Sequence, residues 1–75
     1  MLLDWYGLVH PSDMSRVQSK MKDHLAGKSD FFESVHRMRH QNGDWRWMSS
    51  RAKAIVDEKG RLLRLLGVEV DITER

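Results

Sequence analysis

Cysteine is absent from the 75 residues, and proline occurs once, at Pro11. Without cysteine there is no disulfide and no thiolate zinc site to brace a small fold, and a reducing, cytoplasmic setting is expected. Unbroken apolar runs are only a few residues long, far short of the ~20 that a membrane helix needs, so no membrane contact is expected of this segment. Met1 is followed by Leu2, Leu3 and Asp4, with neither a basic start nor a long apolar stretch, and no signal peptide is expected. Charge of one sign is lacking as well: 13 Lys+Arg stand against 11 Asp+Glu, net +2, and the signs interleave. That balance argues against a disordered tail and lends little support to a nucleic-acid partner. Phosphate loops are missing, because Gly7, Gly27, Gly43, Gly60 and Gly67 are all isolated. Ser49 and Ser50 follow Trp47-Met48 with no sharp strand–turn–helix elbow around them. No enzymatic activity is expected.

What is present reads as one small α+β unit over residues 1–75, with a helical part over 1–27 and a three-stranded antiparallel sheet over 31–73. Leu2 to Val9 reads as a short apolar helical turn ending at His10-Pro11. Ser12 is the expected N-cap of the next helix, and Asp13 puts negative charge in its first turn. Met14, Val17, Met21 and Leu25 recur at helical spacing as one apolar stripe, which Gly27 terminates. The period then changes. Phe31–His40, Trp45–Val56 and Leu62–Ile72 read as strands, punctuated by Asn42-Gly43 and Asp57-Glu58-Lys59-Gly60: a helix packed on a three-stranded antiparallel meander.

Asn42-Gly43 allows two registers. A two-residue turn sets Met38 opposite Trp47. A three-residue loop with Gly43 in the left-handed region puts Met38 on one face with Met48, Ser50, Ala52 and Ala54, and gathers Arg37, Arg39, Trp45, Trp47 and Arg51 on the other. The second is preferred, because it separates small apolar residues from indoles on which guanidinium groups can stack for ~0.5–1 kcal/mol each. In the third strand, Leu66, Val68, Val70 and Ile72 share one parity, and Leu63, Leu65, Gly67, Glu69 and Asp71 the other. Apolar residues on both faces suit a central strand, yet no later segment can pair with its second edge, so a partner for that edge is expected.

Several side chains invite chemistry. Of the four histidines, His10 precedes Pro11, His24 lies near a helix C-terminus where a partly charged imidazole would suit the dipole, and His36 and His40 share a strand parity without further ligands in view. No metal site is expected. Trp45 and Trp47, with Arg46 and Arg51 nearby, could stack single-stranded nucleic acid. A small basic nucleic-acid-binding module is therefore the alternative reading, set against aromatics covered by a helix or a subunit.

The order of motifs carries a resemblance. His10-Pro11-Ser12-Asp13 opens a helix, and Arg37-Met38-Arg39-His40-Gln41-Asn42-Gly43 leads into Trp45-Arg46-Trp47. Asp57-Glu58-Lys59-Gly60 follows, and then Gly67-Val68-Glu69-Val70-Asp71-Ile72-Thr73-Glu74-Arg75. In this order and spacing, over essentially the whole chain, they resemble the C-terminal half of a PAS sensory domain with its PAC motif. The resemblance implies a five-stranded parent sheet whose first two strands are not in this sequence and whose last strand sits at the centre. It implies a sensory or signalling role, with a pocket lined by Met38, Met48, Ser50, Ala52, Leu65, Gly67 and Glu69. Output would pass through Asp71, Ile72 and Thr73 to an effector such as a histidine kinase or a diguanylate cyclase. An outer face of Trp47, Leu66, Val68 and Val70 would meet a helix or another subunit, and a homo-oligomer is expected through the open edge or outer face of strand 62–72. The position matching the axial histidine of haem-binding relatives falls near Val17, and the cysteine of flavin-binding light sensors is lacking, so no cofactor is expected in this chain. Glu69 matches the polar residue that faces the flavin in those relatives. A carboxylate in an apolar pocket has a raised pKa unless it is paired, and the simpler expectation is that Glu69 pairs with Arg51 or Arg64 across the sheet or sits in solvent.

Overall fold

Two short helices lead into three strands: α1 (Leu2–Tyr6), α2 (Pro11–Leu25), β1 (Phe32–Arg39), β2 (Trp45–Val56) and β3 (Leu62–Asp71). The computed structural model describes residues 2–73, with side chains from Asp4 onward. The motif end Glu74-Arg75 lies outside the described residues. The strands form one antiparallel sheet in the order β1-β2-β3.

The first helix is shorter than expected. It ends at Tyr6, and Val9 instead makes a bridge to Met38. The His10 N–H donates to the Arg37 carbonyl at 2.8 Å and the Arg39 N–H to the Leu8 carbonyl at 2.8 Å. The Leu8–His10 segment thus covers the outer edge of β1, whereas among the described residues nothing pairs with the free edge of β3.

The start of α2 also departs from expectation. His10, not Ser12, is the N-cap: its backbone is extended (φ −58°, ψ 136°) and its Nδ1 accepts the Ser12 N–H at 3.0 Å. Pro11 explains the shift, since its missing N–H and fixed φ suit the first helical position and move the cap one residue earlier. At the other end, the Gly27 N–H donates to the His24 carbonyl and the Lys28 N–H to the Asp23 carbonyl, the paired bonds of a Schellman closure. The buried face of α2 is Asp13, Val17, Met21 and His24, so the expected apolar stripe is rotated. Met14 is half-buried and Leu25 is 44% exposed.

Strand pairing follows local turn chemistry. A three-residue loop joins β1 to β2, with the His40 N–H donating to the Asp44 carbonyl at 2.7 Å. Gly43 takes φ +92°, a conformation that costs other residues a Cβ clash. The Asn42 side chain accepts the Asp44 N–H at 3.0 Å, closing the turn on itself. The register Phe32↔Ala52, His36↔Met48 and Met38↔Arg46 follows, and Ser50↔Glu69 and Ala52↔Gly67 align β3 on β2, with a bulge between Ile55 and Val56. One face of the sheet packs on the helices. Its core is Val9, Val17, Met21, Phe32 and Met38, edged by Trp5, Tyr6, Met14, Met48, Ala52 and Leu65.

Candidate functional site

Between α1 and the inner face of β2 and β3 lies a cleft of 170 Å³. Trp5, Met21, Phe32, Ala52 and Leu65 supply apolar walls, Gly67 and Ser50 line its sheet side, and Glu69 stands against Trp5. Trp5 is held by packing: its ring meets Phe32 edge-on at 5.8 Å and His36 edge-on at 5.2 Å. Its indole Nε1 donates to Glu69 Oε1 at 2.6 Å. The expected pairing of Glu69 with Arg51 or Arg64 is therefore corrected, whereas its exposure to solvent agrees with the other arm of that expectation. Arg51 stands on the opposite face, ion-paired with Glu33 at 3.4 Å and lying over the Phe31 ring at 4.1 Å.

Of the residues expected to line a pocket, Ser50, Ala52, Leu65, Gly67 and Glu69 line this cleft. Met38 and Met48 line a second, more open depression with Leu8, Arg46 and Asp71, and Glu69 borders both. Gly67 has a steric reason to be glycine. A Cβ built there would sit 2.3 Å from the Arg51 carbonyl oxygen and 2.7 Å from the Ala52 Cα and Cβ. The two strands approach so closely that any side chain at 67 collides with backbone.

Two buried polar atoms on this face have no hydrogen-bond partner among the described residues: Ser50 Oγ and His36 Nε2. His36 is fully buried, with its Nδ1 2.9 Å from Ser34 Oγ. Burial pushes its pKa down, with Arg16 adding to the effect and Glu69 and Asp13 opposing it. His24 lies in the last turn of α2, as expected, and its ring also bonds beyond the helix. Its Nε2 accepts the Ala54 N–H at 3.0 Å and its Nδ1 faces the Ser29 carbonyl at 2.9 Å, the arrangement of the neutral Nδ1–H tautomer. His40 is exposed, and no group of three or more potential metal ligands occurs among the described residues. Val17 is a fully buried core residue.

Two electrostatic locks flank the site. Asp13 is buried and takes three bonds from Arg37: the backbone N–H at 2.8 Å and Nε at 3.0 Å, both to Oδ2, and Nη2 to Oδ1 at 2.9 Å. The Arg37 guanidinium holds the Asp13 carboxyl far below the usual carboxylate range, and Asp13 raises the Arg37 pKa in turn. Nothing in the helical pattern marks Asp13 as buried, and sequence reasoning missed this pair; the only signal was an acid in the first turn. At the end of β3, Asp71 Oδ1 accepts from the Thr73 N–H and the Thr73 hydroxyl, and Thr73 Oγ1 accepts the Trp47 N–H at 3.1 Å. The Ile72 N–H donates to the Trp47 carbonyl at 2.9 Å, and Arg46 Nη1 reaches Asp71 Oδ2 at 3.1 Å. The Thr73 hydroxyl, its backbone N–H and then Arg46 hold the Asp71 pKa below the ordinary value. These bonds tie the chain's exit direction to β2.

The outer face carries Trp45, Trp47, Leu66, Val68 and Val70, all substantially exposed, with Val68 at 66%. Arg37 lies over Trp47 at 5.1 Å and Arg39 over Trp45 at 5.9 Å, while the His10 ring packs against Trp45 at 4.5 Å. Each indole already has a ring or a guanidinium against it. No helix among the described residues is long and apolar enough to cross a membrane.

Comparison with known proteins places this geometry. A family model described as the PAS fold matches residues 1–69. The structure superposes on a sensory box histidine kinase/response regulator from Burkholderia thailandensis with a TM-score of 0.78 at 33% identity, covering 89% of this chain and 50% of that one. It also superposes on the N-terminal domain of a diguanylate cyclase with a PAS/PAC sensor from Marinobacter aquaeolei, with a TM-score of 0.74 at 26% identity, covering 96% and 65%. A blue-light-activated histidine kinase from Brucella anthropi is 36% identical over 59 residues, 79% of this chain. The chain spans 7% and 11% of the lengths of the curated relatives it matches.

Proposed function

The chain belongs to the PAS fold family, and on that footing we propose that it is part of the sensor of a signalling protein, with a small molecule bound in the cleft and the response leaving through Asp71, Ile72 and Thr73. The observation that carries this reading is the likeness to sensor portions of a histidine kinase and a diguanylate cyclase over nearly the whole chain. The effector we assign is of one of those two classes. The chain's own part is binding and transmission rather than catalysis, in a cytoplasmic setting. The hydrogen bonds from Asp71 and Thr73 to each other and to Trp47 support the output role, because they hold the departing backbone in one direction relative to the sheet.

A chimera tests this. Residues 1–73 replace the corresponding segment of the Burkholderia thailandensis histidine kinase, and autophosphorylation is measured. Retained kinase activity that Asp71→Ala shifts several-fold is the expected result. Activity that ignores Asp71→Ala refutes the output role.

A homo-oligomer is part of the proposal. Its support is the contrast between the covered edge of β1 and the free edge of β3, together with the exposed Leu66, Val68 and Val70. Sedimentation at micromolar concentration gives a dimer or larger species on this reading, and a stable monomer sinks it.

A further inference from the structure

The lining of the cleft is specific enough to name a ligand class, an inference that rests on reading the cleft as the sensing site. We infer that it accepts a one-ring apolar molecule bearing a neutral or cationic hydrogen-bond donor and rejects the matching carboxylate. Size comes first: the cleft holds 170 Å³, and an apolar cavity of about 150 Å³ accommodates benzene. Shape follows from Trp5, Phe32, Met21 and Leu65, which present aromatic and aliphatic surface to a flat guest.

Polarity comes from two residues. Ser50 is only 4% exposed, lines the cleft, and its Oγ has no partner among the described residues. A buried hydroxyl in that condition wants a guest able to hydrogen-bond to it. Glu69 uses Oε1 for Trp5, and Oε2 accepts nothing among the described residues. It therefore offers a negative acceptor to a donor on the guest.

Charge excludes acids. Among the described residues, no lysine or arginine head group faces the cleft to balance a second carboxylate. Arg51 belongs to the lining, but its guanidinium is engaged by Phe31 and Glu33 on the outer face. An anionic guest would lose its hydration with no counter-charge and would lie beside Glu69. A phenol or a benzylammonium ion meets neither obstacle.

The test titrates the 75-residue chain with phenol, benzylamine and benzoate, following the Trp5 indole N–H and the Ser50, Leu65 and Gly67 amides by heteronuclear NMR. Saturable shifts with phenol and benzylamine, and binding of benzoate at least tenfold weaker, are expected. In Glu69→Gln, which keeps an oxygen acceptor for Trp5 but removes the charge, the benzoate penalty shrinks to within about threefold. Ser50→Ala weakens phenol about fivefold, the effect of losing one ordinary hydrogen bond. Unchanged amide dispersion in each variant certifies the fold. Benzoate binding as tightly as phenol overturns the ligand class while leaving the cleft a ligand site. No saturable shift from any of the three overturns both.

Discussion

The indole nitrogen of Trp5 and Oε1 of Glu69 meet at 2.6 Å across 64 positions of sequence, joining the first helix to the last strand. Trp5→Phe keeps an aromatic ring against Phe32 and His36 but deletes the donor. The contact is exposed, so a loss of about 0.5–1 kcal/mol in unfolding free energy is expected by denaturant titration. Adding Glu69→Ala, which removes the acceptor, to Trp5→Phe should cost less than Glu69→Ala does alone, because the partner is already gone; a fully additive double mutant would show that the bond contributes nothing.

Asp13 and Arg37 tie the start of α2 to β1 with three hydrogen bonds. Asp13→Asn is expected to cost about 2 kcal/mol, the range for hydrogen bonds to a buried charge. The acid limb carries the same information. Because the folded Asp13 pKa is depressed below 3.8, its contribution is fully present above that value and is lost as pH falls through the folded value. Urea melts from pH 5 to pH 2 should show a shallower decline in Asp13→Asn than in the parent chain.

Gly67 leaves no room for a side chain. Gly67→Ala is expected to destabilise by about 1–3 kcal/mol through overpacking against β2. A thermal melt that does not move would mean that the strands separate there at no cost.

His36 governs a different pH window. Its folded pKa lies below the ordinary 6.5, so the unfolded chain takes up the proton first. Stability is therefore full above pH 6.5, falls as pH drops below it, and levels once the folded value is passed. His36→Gln should flatten the curve between pH 7 and pH 5 while leaving the Asp13 limb below pH 4. A His36→Gln curve with the parent's slope would assign that slope to another group.

Much of the sheet is legible in the sequence because its signals are local. Alternation in Phe32–Arg39 and Trp45–Val56, with Gly43 able to take a positive φ, predicts both the hairpin and its three-residue loop. The faces follow: Met38, Met48, Ser50 and Ala52 share the inner side, and Trp45, Trp47, Arg37 and Arg39 the outer. The helix is less legible. Asp13 and His24 look like solvent-facing positions, and they are buried because Arg37 and the Ala54 N–H receive them from 24 and 30 residues away. Leu25 and Met14 give up the stripe in consequence. His10 became the cap because Pro11 claims the first helical position, a competition that a search for the best capping side chain does not register.

Residue order alone determined the element sequence, the hairpin register and the family likeness, because alternation, turn residues and motif spacing act over a few neighbours. Which polar groups are buried, that Glu69 answers to Trp5, and that Ser50 is buried beside a cleft were decided only when distant segments came together. A hydrogen bond or a charge pair has no energy until folding brings both partners into one desolvated place.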